Sequence, residues 1–419
     1  MSPASAATKR ALKVLVVTLR YPPYVAGGYE LLTRDAVLAL RERGHEVSVL
    51  SGQGEALEGV PGVYPWLQPN LDGDPDLFAR SFEGTNRERW GLHFYSRANA
   101  RATERALRES GAELLFYFNL GLVSLAPIVV ARRAGVACLG YISDPWPLNH
   151  WLQAWKQDER QRSKALRLWL LGRMWSGFSR WVRLGSMLCC SDFLGAKLMQ
   201  GGLCGARVQT LHLGVPPDME ALAESCSLPE RQPGEALRIA CISSFWEGKG
   251  QSVLLAALER LHTRGLDFRL TLAGAGSGLF LERLRAQAEG LGERVDFRED
   301  LDRAAISELL AASHVLVVPS TWDEPFPLAS LEGMAHGCAV VLTSAGGSQE
   351  AIEPSVHGLL VPPGDVPALA QALESLEQDE PLRRRMGQAA RARVRAELSH
   401  SSFVDGLERA MFRELEPGN

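Results

Sequence analysis

The sequence predicts an α/β protein made of two Rossmann-like, doubly wound domains. Two observations carry this. The chain has 419 residues, more than one hydrophobic core usually supports, so two domains of roughly 200 residues each are expected. Short apolar runs alternate with helical segments almost to the C-terminus, as in parallel sheets with helices packed on both faces.

The elements follow in order. Leu12 to Thr18 (LKVLVVT) is a continuous apolar run, the mark of a strand buried on both faces. A loop with Pro22, Pro23, Gly27 and Gly28 comes next, then helical spacing from Leu31 to Arg43, closed by Gly44. Val47 to Leu50 reads as a second strand and completes a βαβ unit. Residues 52–95, rich in Gly, Pro and aromatics, show no clear periodicity. Strands resume at Leu114–Phe118, Val136–Ile142 and Met187–Cys190. In the second half they fit Arg238–Ile242, Arg269–Ala273, Val315–Val318 and Ala339–Leu342, with helices near 250–263, 279–290, 303–312, 328–336 and 366–377.

Periodicity breaks between Gly214 and Glu235, a stretch holding Pro216, Pro217, Pro229 and Pro233. The expected division is therefore an N-terminal domain over 1–215, a linker over 216–236, a C-terminal domain over 237–398 and a last helix over 399–419 that returns to the first domain. Ligands of open parallel sheets bind beyond the carboxyl ends of the strands, so the default active site is a central cleft that both domains face.

Composition narrows the function. Hydrophobic residues make up 46% and charged residues 22%, and the formal net charge is −4. A nucleic-acid binder working through overall positive charge is not expected. Seven cysteines, with no C-x-x-C pair, read as small buried thiols in a reducing compartment. No secretory signal is read at the N-terminus, and no apolar stretch approaches the ~20 residues of a membrane span. A cytoplasmic protein is expected.

The chemistry concentrates in Pro319–Gly364 (PSTWDEPFPLASLEGMAHGCAVVLTSAGGSQEAIEPSVHGLLVPPG). A buried strand ends at Pro319, and a polar turn delivers Glu324. Pro327 suits the first position of a helix, where its missing N–H costs nothing. The amides of Leu328, Ala329 and Ser330 would then lack intrahelical acceptors and form an anion site suited to a diphosphate. Glu332 follows inside the same helix. Two carboxylates thus flank a helix start, and carboxylates accept hydrogen bonds from vicinal hydroxyls of a sugar or ribose. Two glutamates eight apart also occur by chance on surface helices, so the surrounding residues decide.

Those residues closely resemble the family-four retaining glycosyltransferases of the GT-B fold. The resemblance rests on Glu324, seven residues, Glu332, Gly-Met-Ala-x-Gly, Gly346-Gly347-x-x-Glu350, Gly358 and Val361-Pro362. Weaker likeness extends to Tyr24-x-x-Gly27-Gly28, Gly44-His45-Glu46-Val47, Ser191-Asp192-Phe193-Leu194, Gly214-Val215, Lys249-Gly250 and Ala273-Gly274-x-Gly276. The resemblance implies that Glu324 contacts the donor sugar, Glu332 the ribose, and Lys249 the leaving diphosphate. It implies that main-chain N–H groups from Phe326 to Ala329, proline at 327 excepted, hold sugar and diphosphate. Gly27 and Gly28 would let their loop approach the diphosphate. It further implies retention of anomeric configuration and no metal or other cofactor, and no His/Asp/Cys cluster has ligand spacing.

Three departures stand out. Ser243-Ser244 occupies the place of the family's Gly-Arg, so Ser244 lies where a second cation is usual. Ser143-Asp144 replaces His-Asp on the acceptor side. Glu324-Pro325-Phe326-Pro327 replaces Glu-Gly-Phe-Gly, and both prolines remove an N–H donor. His45, His212, His262, His314, His336 and His357 are scattered and read as structural.

Residues 146–183 hold six of the ten tryptophans. From 151 to 183 eight Lys or Arg face only Asp158 and Glu159, a local charge of +6. This is the composition of an interfacial surface, and equally of a helix pair beside an acceptor cleft. The expected partners are a sugar nucleotide and a hydroxyl acceptor, either a glycan, a lipid-linked molecule or a small molecule. A GT-B epimerase or phosphorylase, and a degenerate sugar-nucleotide-binding protein, remain as alternatives.

Overall fold

Continuous apolar runs become the interior strands. In the computed structural model, which describes residues 10–25, 27–72, 95–147, 184–201, 206–276 and 278–416, the chain divides into two compact units. The first comprises Met1–Cys190, Gly195–Leu211 and Val404–Asn419, the second Ser191–Leu194 and His212–Phe403. The basic segment 148–183, with five of the six tryptophans singled out above, lies outside the described residues, as does Cys204.

The first unit carries a seven-stranded sheet in the order β3-β2-β1-β4-β5-β6-β7. Its strands are β1 (Lys13–Val17), β2 (Glu46–Gln53), β3 (Val63–Asn70), β4 (Leu114–Tyr117), β5 (Ala137–Ile142), β6 (Gly185–Cys189) and β7 (Ala206–Thr210), all parallel. Helix α1 (Gly28–Glu42) buries Thr33, Ala36, Val37 and Leu40, the i, i+3, i+4, i+7 spacing of one helical face. The Glu30 carboxylate accepts from the Gly27 amide at 2.9 Å, and Gly44, at φ +88°, ends the helix without steric strain. Helices α2 (Arg97–Ser110) and α3 (Ala126–Arg133) follow β3 and β4.

The second unit carries a six-stranded parallel sheet in the order β10-β9-β8-β11-β12-β13. Its strands are β8 (Leu237–Ile242), β9 (Phe268–Gly274), β10 (Val295–Glu299), β11 (Val315–Val318), β12 (Ala339–Thr343) and β13 (Gly358–Val361). The chain-order reversal between β8 and β11 is the topological switch point. The remaining described helices are α4 (Asp192–Gln200), α5 (Pro217–Glu224), α6 (Gln251–His262), α7 (Leu279–Ala288), α8 (Arg303–Ala312), α9 (Leu328–Ala335), α10 (Val366–Gln378), α11 (Glu380–Glu397) and α12 (His400–Glu414). Within residues 216–236, where a linker is expected, α5 forms and buries Met219 and Ala223.

Most scattered histidines have structural partners. His45 accepts from the Leu12 amide at 3.1 Å and meets Glu408 of α12 at 3.2 Å. His336 meets Ser307 at 2.7 Å. Burial and nearby arginines push His314 down to about 3, so it stays neutral between the Arg238 amide and the Glu230 carbonyl.

Candidate active site

In the second unit, the loops after β8 and β11 flank the switch point and bring two predicted residues together. Lys249 ends a short 3-10 turn, Glu247–Lys249, and Gly250 follows at φ +70°. A Cβ at Gly250 would lie 1.9 Å from the Pro319 carbonyl oxygen, so glycine permits the loop to seat against the end of β11. Lys249 Nζ then lies 2.7 Å from Glu324 Oε1, and Ser320 Oγ donates to the same oxygen at 2.6 Å. Glu324 is only 4% exposed. A carboxylate this buried requires such partners.

The Gly346-Gly347 loop supports Glu324 from behind. Gly347 N–H donates to the Glu324 carbonyl at 2.7 Å, and a Cβ at Gly346 would lie 2.4 Å from that oxygen. Glu350 of the same loop accepts from the amides of Asp192 and Phe193 at 2.8 and 2.9 Å, and from His212 at 3.1 Å. His212 is therefore no isolated structural residue. Its ring stacks on Phe326 at 5.0 Å and 12°. The Phe326 side chain is thus committed to packing, and its main chain is what remains for a ligand.

The helix start differs in detail from expectation. Pro327 takes the N-cap position, with ψ 108°, and Leu328 is the first helical residue. The reason is local: extended geometry turns the Pro327 carbonyl toward Ser330, which donates to it through N at 3.1 Å and Oγ at 2.6 Å. The Ser330 amide is accordingly occupied. Leu328 and Ala329 remain as the amides aimed out of the helix start. Ser244 is exposed, and its carbonyl accepts from Gln251 Nε2 at 2.9 Å.

Glu332 sits one turn further along α9, half-buried, in the field of Arg303 and Asp218. Desolvation pushes its carboxyl up to about 7, against the opposing pull of Arg303. Arg303 itself pairs with Asp218 at 2.9 Å.

The first unit places its own predicted residues after the carboxyl ends of β1 and β5, with Asn119 after β4. Ser143 and Asp144 follow β5, and their amides donate to the Tyr29 hydroxyl at 2.6 and 3.1 Å. Asp144 accepts from the Trp146 amide at 2.7 Å and from Asn119 at 3.3 Å. Desolvation raises its carboxyl to about 6. Gly27 has open space where a Cβ would stand, although its amide is held by Glu30. Gly28 begins α1 beside it. Tyr29, Asn119, Ser320 and Trp322 escaped the sequence reading because single polar or aromatic residues in loops carry no periodic signal; only their places at strand or helix ends distinguish them. Among the described residues no group of three His, Cys, Asp or Glu could hold a metal ion, and no helix is long and apolar enough to cross a membrane.

Two doubly wound parallel sheets of seven and six strands are the architecture of the GT-B fold. A glycosyltransferase from Rickettsia africae is similar over 97% of this chain and 100% of its own, with TM-score 0.71 and 17% identity. An Anabaena protein solved with UDP and glucose is similar over 96% of this chain and 99% of its own, with TM-score 0.63 and 20% identity. A glycogen synthase of Mycobacterium tuberculosis is 26% identical over 398 residues, 91% of this chain and 90% of that protein. Residues 229–393 match the family model for glycosyl transferases group 1. The chain is a glycosyltransferase that takes its sugar from a nucleotide-sugar donor.

Proposed function

We propose that the enzyme transfers a hexosyl or similar sugar, with retention and without metal, from a nucleoside-diphosphate sugar to a hydroxyl acceptor. The observation that carries this reading is the Lys249–Glu324 contact at the switch point, next to the open amides of Leu328 and Ala329. Breaking the anomeric C–O bond sends its electron pair to the diphosphate and leaves oxocarbenium character on the sugar. Lys249 and the α9 start stabilise the growing anion, and Glu324 takes the sugar hydroxyls. The acceptor hydroxyl attacks the same face of the sugar, and its proton passes to the departing phosphate oxygen. Glu332 holds the ribose. Ser143 and Asp144 serve the acceptor, and Gly27 and Gly28 admit the diphosphate.

The first test is thermal stabilisation by a panel of sugar nucleotides, since a ligand at 100 times its Kd adds about 2.7 kcal/mol. Proton NMR of the first product formed should then show the donor's anomeric configuration. An inverted product overturns the retaining reading. Turnover without acceptor to an epimerised donor supports the epimerase instead, and binding without any transfer supports a scaffold. The net charge of +6 over residues 151–183 adds a membrane-surface reading for localisation. Anionic lipid attracts each basic residue by about 1 kcal/mol near the surface, so vesicle co-sedimentation should be strong at low salt and lost at high salt. No binding to anionic vesicles at low salt removes that reading.

A further inference from the structure

The 3-10 turn bearing Lys249 is braced by two tryptophans that the mechanism above does not use. Trp246 precedes the turn and is 41% exposed. Its ring lies flush on Gly248, where an added Cβ would stand 2.2 Å away. The Gly248 carbonyl accepts from the amides of Thr321 and Trp322 at 2.8 and 3.3 Å, tying the Lys249 turn to the Glu324 loop. Trp322 meets Trp246 edge to face, with centroids 5.4 Å apart. Lys249 Nζ stands 5.2 Å from the centre of the Trp322 ring, within the range of cation–π attraction.

This arrangement sits where Ser244 replaces a cation, so Lys249 carries the diphosphate charge without that partner. It also faces a conflict. The Glu324 carboxylate that now holds the ammonium is the group that must take the donor sugar's hydroxyls. When Glu324 changes partners, its grip on Lys249 weakens, while the face of Trp322 keeps its attraction. The indole N–H of Trp322 is buried and has no hydrogen-bond partner among the described residues, so the ring, not the N–H, is what the position uses.

We propose that Trp322, braced by Trp246, is a positioning residue that holds the Lys249 ammonium for the diphosphate of the donor. The proposal rests on the reading of Lys249 as the diphosphate ligand.

The test is calorimetric titration with UDP, GDP and ADP, and with the corresponding monophosphates, followed by steady-state kinetics on the accepted donor. Trp322→Leu should weaken the diphosphate about tenfold, as a desolvated cation–π contact would. The monophosphate should be unaffected. Trp322→Phe should restore most of the loss because it keeps the aromatic face. The double variant Trp322→Leu/Lys249→Ala should bind no worse than Lys249→Ala alone, since both remove one interaction. Trp246→Leu, at an exposed position, should weaken the diphosphate in the same selective way and carries the test should Trp322→Leu not fold. Additive losses in the double variant, equal losses of mono- and diphosphate, or failure of Phe to rescue would overturn the proposal while leaving Lys249 in its role. Unchanged diphosphate binding in Lys249→Ala would instead remove the reading of Lys249 on which the proposal stands.

Discussion

Glu324 and Asp144 are both withdrawn from water at the carboxyl ends of parallel strands, one in each unit, yet their surroundings are opposite. Glu324 is held by an ammonium and a hydroxyl on one oxygen. Asp144 is held by neutral donors, the Trp146 amide and Asn119, and the charge it feels is that of another carboxylate, Glu30. A paired carboxylate brings a cation with it and suits a reaction that expels an anion. A carboxylate raised by desolvation to about 6 gains a proton easily, and suits contact with a neutral hydroxyl. The two units have the same architecture, and on the proposed reading they divide the chemistry by what they place beside the acid.

The largest effects should come from breaking the pair. Lys249→Ala should reduce kcat/KM by about 2–4 kcal/mol, or roughly 30- to 1,000-fold, as removal of one preorganised charge does. Glu324→Ala should fall mainly in kcat, because its contact strengthens as charge develops. Near-normal steady-state kinetics in both would dissolve the contrast between the units.

Asp144→Asn should have a different signature. An acid whose pKa is raised by folding stabilises the native state at low pH and loses that contribution as pH rises through the folded value. The wild type should therefore lose about 2–3 kcal/mol of stability between pH 4 and pH 8 that the variant does not lose. Urea unfolding should show the variant more stable at pH 8 and equal to wild type at pH 4, with transfer to the acceptor reduced. A variant less stable than wild type at pH 8 would mean that Asp144 is held ionised by partners not accounted for.

The smallest effect belongs to Glu332. Its carboxyl, raised to about 7, is mostly protonated at pH 6 and mostly ionised at pH 8. If Glu332 holds the ribose as proposed, the ionised form accepts both hydroxyls and donor KM should rise about fivefold from pH 8 to pH 6, the worth of a charged over a neutral hydrogen bond. Glu332→Gln should flatten that dependence at a uniformly higher KM. A pH-dependent KM in the glutamine variant would assign the titration elsewhere.

The interior of both sheets was legible in the sequence, and their edges were not. All nine interior strands appear as apolar runs, while β3, β7, β10 and β13, which lie at the four edges, went unread. The physical reason is exposure: an edge strand need not be apolar on both faces, and β3 even admits Pro65 and Pro69. Arginine-rich α2 and α11 were missed in the same way, because their buried positions are outnumbered by charged ones. At the site, Lys249 and Glu324 were legible from the motif, but their mutual contact was not, since 75 residues separate them. The N-cap role of Pro327 was hidden because the sequence does not reveal that Ser330 would turn back to its carbonyl.

Release of nucleoside diphosphate, measured with and without acceptor, tests the division of labour most directly. Lys249→Ala should lose both the slow release caused by water and the faster release caused by acceptor, because both require departure of the diphosphate. Asp144→Asn should keep the water reaction and lose the acceptor-dependent increase. Loss of both reactions in Asp144→Asn, or retention of both in Lys249→Ala, would contradict the assignment of donor chemistry to the Lys249–Glu324 pair.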